Sequence, residues 1–281
     1  FFVQAEQVAD LFLTEIIPYH IVSLTECNYF LISPGQRSSH QCTELFQFLS
    51  FHFGQEATEE LMLRYHVGTS KHWPGATVFW QVDISGRVRT GKVMLYNPEN
   101  GRRIKEPHNY ITWVHSLLKK ENFNLRQCLF GEHLLSSDQQ RPVALVESEK
   151  SALISSFYLP QYLWIASGGK NGAFNRDAMS VLRNRRVLLF PDLGATDYWN
   201  SKMEMIRSLG IEVSLFDFME RNATKEERDA GYDIADFLLR EETKEAILNR
   251  LITLNPALKT LVETFDLQLV DVKKAPFSAT V

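Results

Sequence analysis

Two acidic residues follow apolar segments that are typical of buried strands. Glu147 comes directly after the segment 143–146, and Asp192 lies just beyond the segment 186–190. In an open parallel sheet the carboxyl ends of the strands meet at one edge, so both carboxylates are expected there. Mg²⁺ prefers oxygen ligands and usually keeps several waters, so two or three carboxylates are enough to hold it. The structural alternative is that each acid caps the helix that follows it.

Between residues 139 and 240, apolar strands alternate with helical stretches. Strands are predicted at 143–146, 162–166, 186–190 and 211–216, and helices at 150–157, 176–182 and 196–209. Continuous apolar strands separated by helices are typical of a parallel sheet that is buried on both faces and joined by right-handed crossovers. The sequence therefore predicts an α/β domain with a parallel four-stranded sheet and flanking helices.

The segment before this domain is richer in β-branched, aromatic and basic residues. The stretches 77–84 and 88–96, separated by a Ser-Gly turn, predict a β-meander of about three strands, followed by a helix over 111–120. One acid, Glu99, accompanies six basic residues between positions 85 and 105, which are Arg87, Arg89, Lys92, Arg102, Arg103 and Lys105. Such a patch can neutralise the phosphates of a nucleic acid. The alternative is a solvated hairpin face.

Both ends of the chain are predicted to be helical, with helices at 4–17, 43–53 and 57–64 and a helical tail over 243–265 that Pro256 divides.

The net charge of −4 shows that the chain as a whole is not a polycation. The three cysteines form no C-x-x-C pair, so no zinc site is expected. No apolar run is long enough for a membrane span, and a cytoplasmic protein is expected. Because the chain opens at Phe1 without a Met, we interpret it as part of a longer protein.

Three segments in order resemble the motifs of toprim domains. Residues 143–153 are similar to the first motif, an apolar strand that ends in Glu before an Ala-containing helix. Residues 188–192 resemble the second motif, in which a strand ends in Asp, and residues 231–238 resemble the G-x-D-x-x-D-x-L segment of phage and plasmid primases. Upstream, residues 79–105 resemble the basic β-rich subdomain of primase cores. The chain thus resembles bacterial and phage primase catalytic cores, especially the primase-like toprim proteins of mobile genetic elements, without their zinc module.

This resemblance implies a division of the chain and a metal site. The expected parts are a helical N-terminal region (1–64), a basic β-rich α+β subdomain (65–138), a toprim domain (139–240) and a helical tail (241–281). Mg²⁺ or Mn²⁺ would be held by the catalytic residues Glu147 and Asp192, with Asp236 and Asp197 as further ligands. The second motif is usually Asp-x-Asp, and here Gly194 stands in place of the second Asp. Asp197 is the candidate to replace it, although an acid in the first turn of a helix has a structural reason to be there.

The implied activity is primer synthesis in the replication of a mobile element, by Mg²⁺-dependent nucleotidyl transfer on single-stranded DNA. Nucleotides and single-stranded DNA are the expected partners, and a replicative helicase is a further candidate. Lys150 and the loop of Gly168, Gly169 and Lys170 are candidates for phosphate binding. Two alternatives stay open: metal-dependent DNA cleavage at the same acids, and a degenerate toprim module that binds DNA or a helicase without catalysis.

Overall fold

The chain was analysed as a computed structural model, which describes residues 43–119, 123–169, 172–240, 248–249, 251–253 and 255–267. The helix predicted at 4–17 lies outside these ranges. The strands are β1 Val67–Ser70, β2 Ala76–Val82, β3 Val88–Met94, β4 Ile111–Trp113, β5 Val143–Val146, β6 Leu163–Ala166, β7 Arg186–Leu189 and β8 Glu212–Leu215. They form an antiparallel sheet in the order β1-β2-β3-β4 and a second sheet in the order β6-β5-β7-β8, whose strands are parallel. The predicted α/β class with a parallel four-stranded sheet is confirmed.

Helices flank both sheets. They are α1 Glu44–Phe53, α2 Gln55–Arg64, α3 Val114–Leu118, α4 Glu149–Tyr158, α5 Arg176–Met179, α6 Thr196–Arg207, α7 Phe218–Asn222, α8 Lys225–Ala230, α9 Ile234–Leu238 and α10 Ala257–Phe265, with 3₁₀ helices at Glu132–Ser136 and Ser180–Leu182. Within the described ranges, every helix is too short or too polar to cross a membrane.

The parallel sheet is buried on both faces, because successive residues of a strand point to opposite sides. In β5, Ala144 and Val146 belong to the hydrophobic core that also contains residues of α4. Val143 and Leu145 belong to the other core, which contains residues of α6. This two-sided burial explains why the sequence of β5 is apolar at every position.

The topology brings the two predicted acids to neighbouring strand ends. Strand β5 pairs with β7 on one side, with Leu145 opposite Leu189, and with β6 on the other side. The connection that leaves β5 runs to β6 on one side, and the connection that leaves β7 runs to β8 on the other side, so a crevice opens between β5 and β7 at the carboxyl edge. Glu147 follows β5 and Asp192 follows β7 at this edge.

The antiparallel sheet differs from the predicted meander. It has four strands, because β1 pairs with β2 and β4 pairs with β3. The helix predicted over 111–120 is wrong at its start, since Ile111–Trp113 forms β4 and the helix begins at Val114. Two of the three residues of β4 are β-branched and the third is aromatic, which suits a strand once β3 is beside it.

Buried aromatic residues fix the two sheets to each other. The hydroxyl group of Tyr65 donates to the carbonyl oxygen of Trp164 in β6, at 3.0 Å. Phe130 exchanges two backbone hydrogen bonds with Ala166 at the end of β6, at 2.9 and 3.0 Å. The ring of Tyr65 stacks on that of Phe130. Phe130 also contacts the ring of Phe79 in β2, edge to face, so these residues join β2 to the end of β6.

Candidate active site

A cleft of about 520 Å³ lies between the antiparallel sheet and the carboxyl edge of the parallel sheet. One wall carries basic residues of the antiparallel sheet and of the loop after β3. The opposite wall carries carboxylates that follow the parallel strands. The charged residues that line the cleft are Lys92, Arg102, Arg103, Lys105, Glu147, Glu149, Lys150, Asp192, Asp233 and Asp236. The cleft thus brings together ten charged side chains from segments far apart in the sequence.

Asp192 is a partly buried acid of the cleft. Its Oδ1 atom is buried and has no hydrogen-bond partner among the described residues. Burial raises the pKa of Asp192 to about 8, and the negative charges of Asp233, Glu147 and Asp236 contribute, whereas Lys150 acts in the opposite direction. A buried carboxylate oxygen beside three other carboxylates is an arrangement that a bound cation would stabilise.

A backbone contact explains why Asp192 lies close to Asp233. The N–H group of Leu193 donates to the carbonyl oxygen of Tyr232, at 2.9 Å. Asp192 precedes Leu193 and Asp233 follows Tyr232, so this bond brings the two acids close together. Asp233 caps helix α9, where its Oδ1 accepts from the N–H groups of Ala235 and Asp236. The second oxygen of Asp233 accepts a short hydrogen bond from Ser151 in α4.

Asp236 completes the cap of α9 and faces the same cleft. Its Oδ2 accepts from the N–H group of Asp233, at 3.0 Å, which forms a capping box. Burial and the charge of Asp233 raise the pKa of Asp236, whereas Lys150 and Arg102 lower it. Arg102 belongs to the basic wall, so its charge acts on the acidic wall across the cleft.

The glycine loop after β6 supports Glu147. The N–H groups of Gly168 and Gly169 both donate to the carbonyl oxygen of Glu147, at 3.0 Å each. Gly168 has a φ of +78°, and a Cβ there would lie 3.2 Å from Oε1 of Glu149. These two N–H groups, which were candidates for phosphate binding, therefore already have a partner within the fold. Lys170 lies outside the described residues.

Lys92 joins the two sheets at the back of the cleft. Its ammonium group donates to Oε2 of Glu149, at 3.2 Å, and to the carbonyl oxygen of Gly168, at 3.0 Å. The side chains of Lys92 and Glu149 are 8% and 2% exposed. Lys92 therefore lies at the junction of the sheets, where it can reach a bound phosphate only by giving up part of this network.

Lys150 makes a second connection between the walls. Its ammonium group donates to the carbonyl oxygen of Gly101, at 3.0 Å, in the loop that carries Arg102 and Arg103. This loop is held by Asn97, whose side chain accepts from the N–H groups of Glu99 and Asn100. The tight loop presents its basic side chains to the cleft, and Arg102 and Lys105 are exposed.

The predicted basic patch is divided by the structure. Arg102, Arg103, Lys105 and Lys92 line the cleft, whereas Arg87 and Arg89 line a separate pocket. Asp83 pairs with the latter two, with its Oδ2 2.9 Å from Nε of Arg87 and 2.6 Å from Nη2 of Arg89.

Two positions bear on the atypical second motif. Asp197 is exposed in the first turn of α6 and does not belong to the lining of the cleft. Gly194 has a φ of +80°, in the left-handed region that disfavours an Asp side chain. Its N–H group donates to Glu220, at 2.9 Å. The loop at 194 therefore suits glycine, and Asp233 is one of the five carboxylates that line the cleft.

Asp233 is the functional candidate that the sequence analysis missed. The signal was present, because Asp233 is the first Asp of the G-x-D-x-x-D-x-L segment, but only Asp236 was assigned to the metal. Its place beside Asp192 depends on the backbone contact between Leu193 and Tyr232, which pairs residues far apart in the chain.

The carboxylates of the cleft can supply some of the ligands of a Mg²⁺ ion, but they do not form a complete metal site by themselves. Among the described residues, no group of three or more His, Cys, Asp or Glu side chains is positioned to hold a metal ion by itself. Mg²⁺ is commonly bound by one or two carboxylates together with waters and substrate phosphates. The buried, unpartnered Oδ1 of Asp192 and the neighbouring Glu147 meet that smaller requirement.

Comparison with known proteins places the chain in a family. A family model described as a domain of unknown function, DUF6371, matches residues 43–193, which is more than half of the chain. The chain belongs to this family. The matched range includes the antiparallel sheet and both Glu147 and Asp192, but it ends before Asp233. No curated protein matches the chain.

Several solved structures of primases are similar to the chain, as the sequence motifs indicate. The DnaG primase catalytic domain bound to single-stranded DNA is 13% identical, with 86% of each chain covered and a TM-score of 0.47. The Escherichia coli primase catalytic core is 15% identical, with 80% of this chain and 81% of that chain covered and a TM-score of 0.37. The zinc-binding and RNA polymerase domains of the Aquifex aeolicus primase are 14% identical, with a TM-score of 0.38. The match covers 73% of this chain and 54% of the Aquifex chain. These identities are low and the TM-scores lie below 0.5, so the similarities do not assign a function to this chain.

Proposed function

We propose that this protein joins nucleotides on a single-stranded DNA template in a metal-dependent reaction of the primase type. The observation that carries the proposal is the buried, unpartnered oxygen of Asp192, which lies with Glu147 and Asp233 across a cleft from basic residues. Phosphoryl transfer needs a metal-binding carboxylate site next to groups that bind phosphates. The cleft offers both, and the toprim-like motifs of the sequence favour the primase reaction.

The two walls of the cleft have different roles in this proposal. Asp192 and Glu147 would hold Mg²⁺ or Mn²⁺, and Asp236 would contribute a further oxygen or a water-mediated contact. When bound, the ion supplies charge neutralisation for the transferring phosphoryl group. Arg102, Arg103 and Lys105 would neutralise phosphates of the template or of the nucleotide. Their positive charge lies opposite the acids, so a phosphate between the walls would face both the cation and the guanidinium groups.

Lys150 and Lys92 would keep the walls at a fixed separation. Lys150 connects α4 to the carbonyl oxygen of Gly101, and Lys92 connects β3 to Glu149. The first contact would hold the basic loop in place before a substrate arrives, and the second would hold β3 against the start of α4. Preorganised charges are effective in phosphoryl transfer because they need no rearrangement during the reaction.

Primer synthesis on single-stranded DNA tests the proposal directly. The wild-type chain is supplied with nucleoside triphosphates and Mg²⁺ or Mn²⁺, and the products are resolved by length. We expect Glu147→Gln and Asp192→Asn to lose about 100-fold or more of the activity, because each removes a charge from the metal site. Asp197→Asn is the matched control, since this exposed acid lies outside the lining of the cleft.

Two results would overturn the proposal. Wild type that makes no primers on any single-stranded template with either metal would remove the enzymatic interpretation. Equal loss of activity in Asp197→Asn and Asp192→Asn would show that the cleft is not the site.

The same assay separates two other functions. Shortening of the template by wild type and not by Glu147→Gln would indicate a metal-dependent nuclease. A non-catalytic DNA-binding module is favoured by Gly194, which leaves the second motif without its second acid. That alternative predicts template binding by wild type and by Asp192→Asn, without any new product from either.

A further inference from the structure

A second, smaller pocket lies outside the cleft. Its volume is about 210 Å³, and it is lined by three segments that meet only in the folded chain. These segments are the β2–β3 turn and the start of β3, with Asp83 and Arg89, the segment 126–132 with Cys128 and Glu132, and α5 with the 3₁₀ helix that follows it. The volume is below the range that drug-sized ligands occupy and suits a single heterocycle.

Arg89 gives this pocket an unused hydrogen-bond donor. Its side chain is only 3% exposed, and its Nε and Nη2 atoms both bond to Oδ2 of Asp83. The Nη1 atom is buried and has no acceptor among the described residues. A buried guanidinium nitrogen without an acceptor is costly, and a ligand with an acceptor atom would remove that cost.

A single unused donor favours a neutral acceptor over a phosphate group. Asp83 carries one negative charge against the two positive charges of Arg87 and Arg89, and Arg126 pairs with Asp177 at 3.0 Å. Glu132 is a further carboxyl group in the lining, 5% exposed. A carbonyl oxygen needs only the Nη1 donor, whereas a phosphate group would lose more water than one donor can replace.

The remaining walls suit a flat ring with polar edges. Ile84, Ala178 and Val181 contribute apolar surface, and Gln127 and Ser180 contribute polar atoms. Arg87 and Arg126 have side chains that are 39% and 38% exposed. Guanidinium planes of this kind stack on the faces of bases in single-stranded nucleic acids.

We propose that this pocket binds a single nucleobase, with a carbonyl oxygen of the base accepting from Nη1 of Arg89. Glu132 lies in the same lining, and each of its carboxyl oxygens accepts one backbone N–H group, so a further lone pair can accept from a ring N–H group of the base. Guanine and thymine carry a carbonyl oxygen beside a ring N–H, and adenine does not. The pocket therefore favours guanine and thymine. This inference does not depend on the proposed catalytic site.

Saturation-transfer NMR with nucleosides tests this inference, since nucleosides carry no phosphate. Guanosine, thymidine, adenosine, cytidine and inorganic phosphate are titrated separately into the full chain. We expect guanosine or thymidine to bind more tightly than adenosine. Arg89→Lys keeps a positive charge beside Asp83 but replaces the three guanidinium nitrogens by one, so the donor at Nη1 is lost, and we expect it to weaken binding about tenfold or more.

Ala178→Leu fills the pocket and leaves the Arg89–Asp83 pair intact. We expect it to weaken nucleoside binding as strongly as Arg89→Lys does. Ala257→Leu is the matched control, because Ala257 is exposed in α10, and its nucleoside affinity should equal that of wild type. Thermal melting establishes which variants are folded. If Arg89→Lys does not fold, Ala178→Leu decides the result.

Three results would overturn the inference. They are the absence of binding for every nucleoside, equal nucleoside affinity in wild type and Ala178→Leu, and binding of inorganic phosphate alone. Displacement of the nucleoside by a single-stranded oligonucleotide would assign the base to a strand, and the lack of displacement would assign it to a free nucleotide. Asp192→Asn should keep nucleoside binding even where it loses primer synthesis, so failure of the two proposals can be told apart.

Discussion

Glu132 shows how a single buried acid can couple stability to pH. Its two carboxyl oxygens accept from the N–H groups of Ile84 and Leu129, at 3.1 Å each. Burial nevertheless raises the pKa of Glu132 to about 7, and the charge of Asp83 contributes, whereas the two backbone hydrogen bonds act in the opposite direction. The folded chain therefore holds a proton on Glu132 at pH values where the unfolded chain has lost it.

This pKa difference predicts the sign of a pH effect. Because the folded-state pKa is raised from 4.5 to about 7, stability falls as the pH rises through that interval, by on the order of 3 kcal/mol. Glu132→Gln cannot ionise and should lack this dependence. We expect the free energy of unfolding of wild type, minus that of the variant, to decrease between about pH 4.5 and pH 7. Urea titrations across this range measure it, and a constant difference would contradict the assignment.

The acids of the cleft differ in how far the sequence could place them. Glu147 and Asp192 were predicted together, because the strand-end rule needs only the local pattern of each strand. Asp233 was missed, because its neighbour in space is set by the contact between Leu193 and Tyr232. Arg89 looked like part of an exposed patch, and only the structure shows that Asp83 and the 126–132 segment bury it.

At the scale of elements, helix α9 supports the acidic wall. Its N-terminal capping box is formed by Asp233 and Asp236, both of which line the cleft. The same two carboxylates therefore stabilise the first turn of α9 and contribute negative charge to the site. Helix α8 begins with a similar capping box, formed by Thr224 and Glu227, away from the cleft.

Substitutions at Asp233 separate the two roles. Asp233→Ala should lower the free energy of unfolding by about 1 kcal/mol, because the cap of α9 is lost. Asp233→Asn should keep most of this stability, since Asn caps helices well, while it removes the charge beside Asp192. Thr224→Ala is the control, with a similar loss of stability and wild-type metal binding. Denaturant unfolding and Mn²⁺ titration measure both effects. Weaker metal binding in Thr224→Ala would show that stability, not charge, is responsible.

The elements of the parallel sheet were predicted well, and those at the edge of the antiparallel sheet were not. Strands β5, β6 and β7 are continuous apolar runs, and their positions match the prediction within one residue. Strand β4 was predicted as part of a helix, because Ile111–Trp113 is too short to show a period of its own. Its conformation follows from pairing with β3, which no local pattern contains.

At the scale of the whole molecule, the arrangement of charge is expected to govern DNA binding. The chain is acidic overall, with a net charge of −4, yet one wall of the cleft is basic. The sequence predicted two units with these properties, and it did not predict how they meet. Lys92 illustrates the difference, since it was predicted to lie on a nucleic-acid surface and instead joins β3 to Glu149.

Salt dependence tests the role of the basic wall. Each phosphate contact to a single strand contributes about 0.7 to the slope of log affinity against log salt concentration. A triple change of Arg102, Arg103 and Lys105 to Gln should therefore reduce the magnitude of this slope by about 2. Fluorescence anisotropy with a labelled single-stranded oligonucleotide measures it.

The matched control for this triple change lies at the opposite edge of the parallel sheet. Arg183, Arg186 and Arg207 are all exposed, and Arg186 begins the strand that Asp192 follows. Their change to Gln should leave the slope near its wild-type value. A reduction as large as that of the first triple would show that DNA binds elsewhere or without preference.

The central claim is that Asp192 and Glu147 form a metal site. Titration of Mn²⁺, followed by electron paramagnetic resonance in the presence of a nucleoside triphosphate, tests it most directly, because it needs no turnover. We expect Asp192→Asn and Glu147→Gln to weaken Mn²⁺ binding to the complex about tenfold or more, and Asp197→Asn to leave it unchanged. Mn²⁺ binding by Asp192→Asn that is as tight as in wild type would contradict the account.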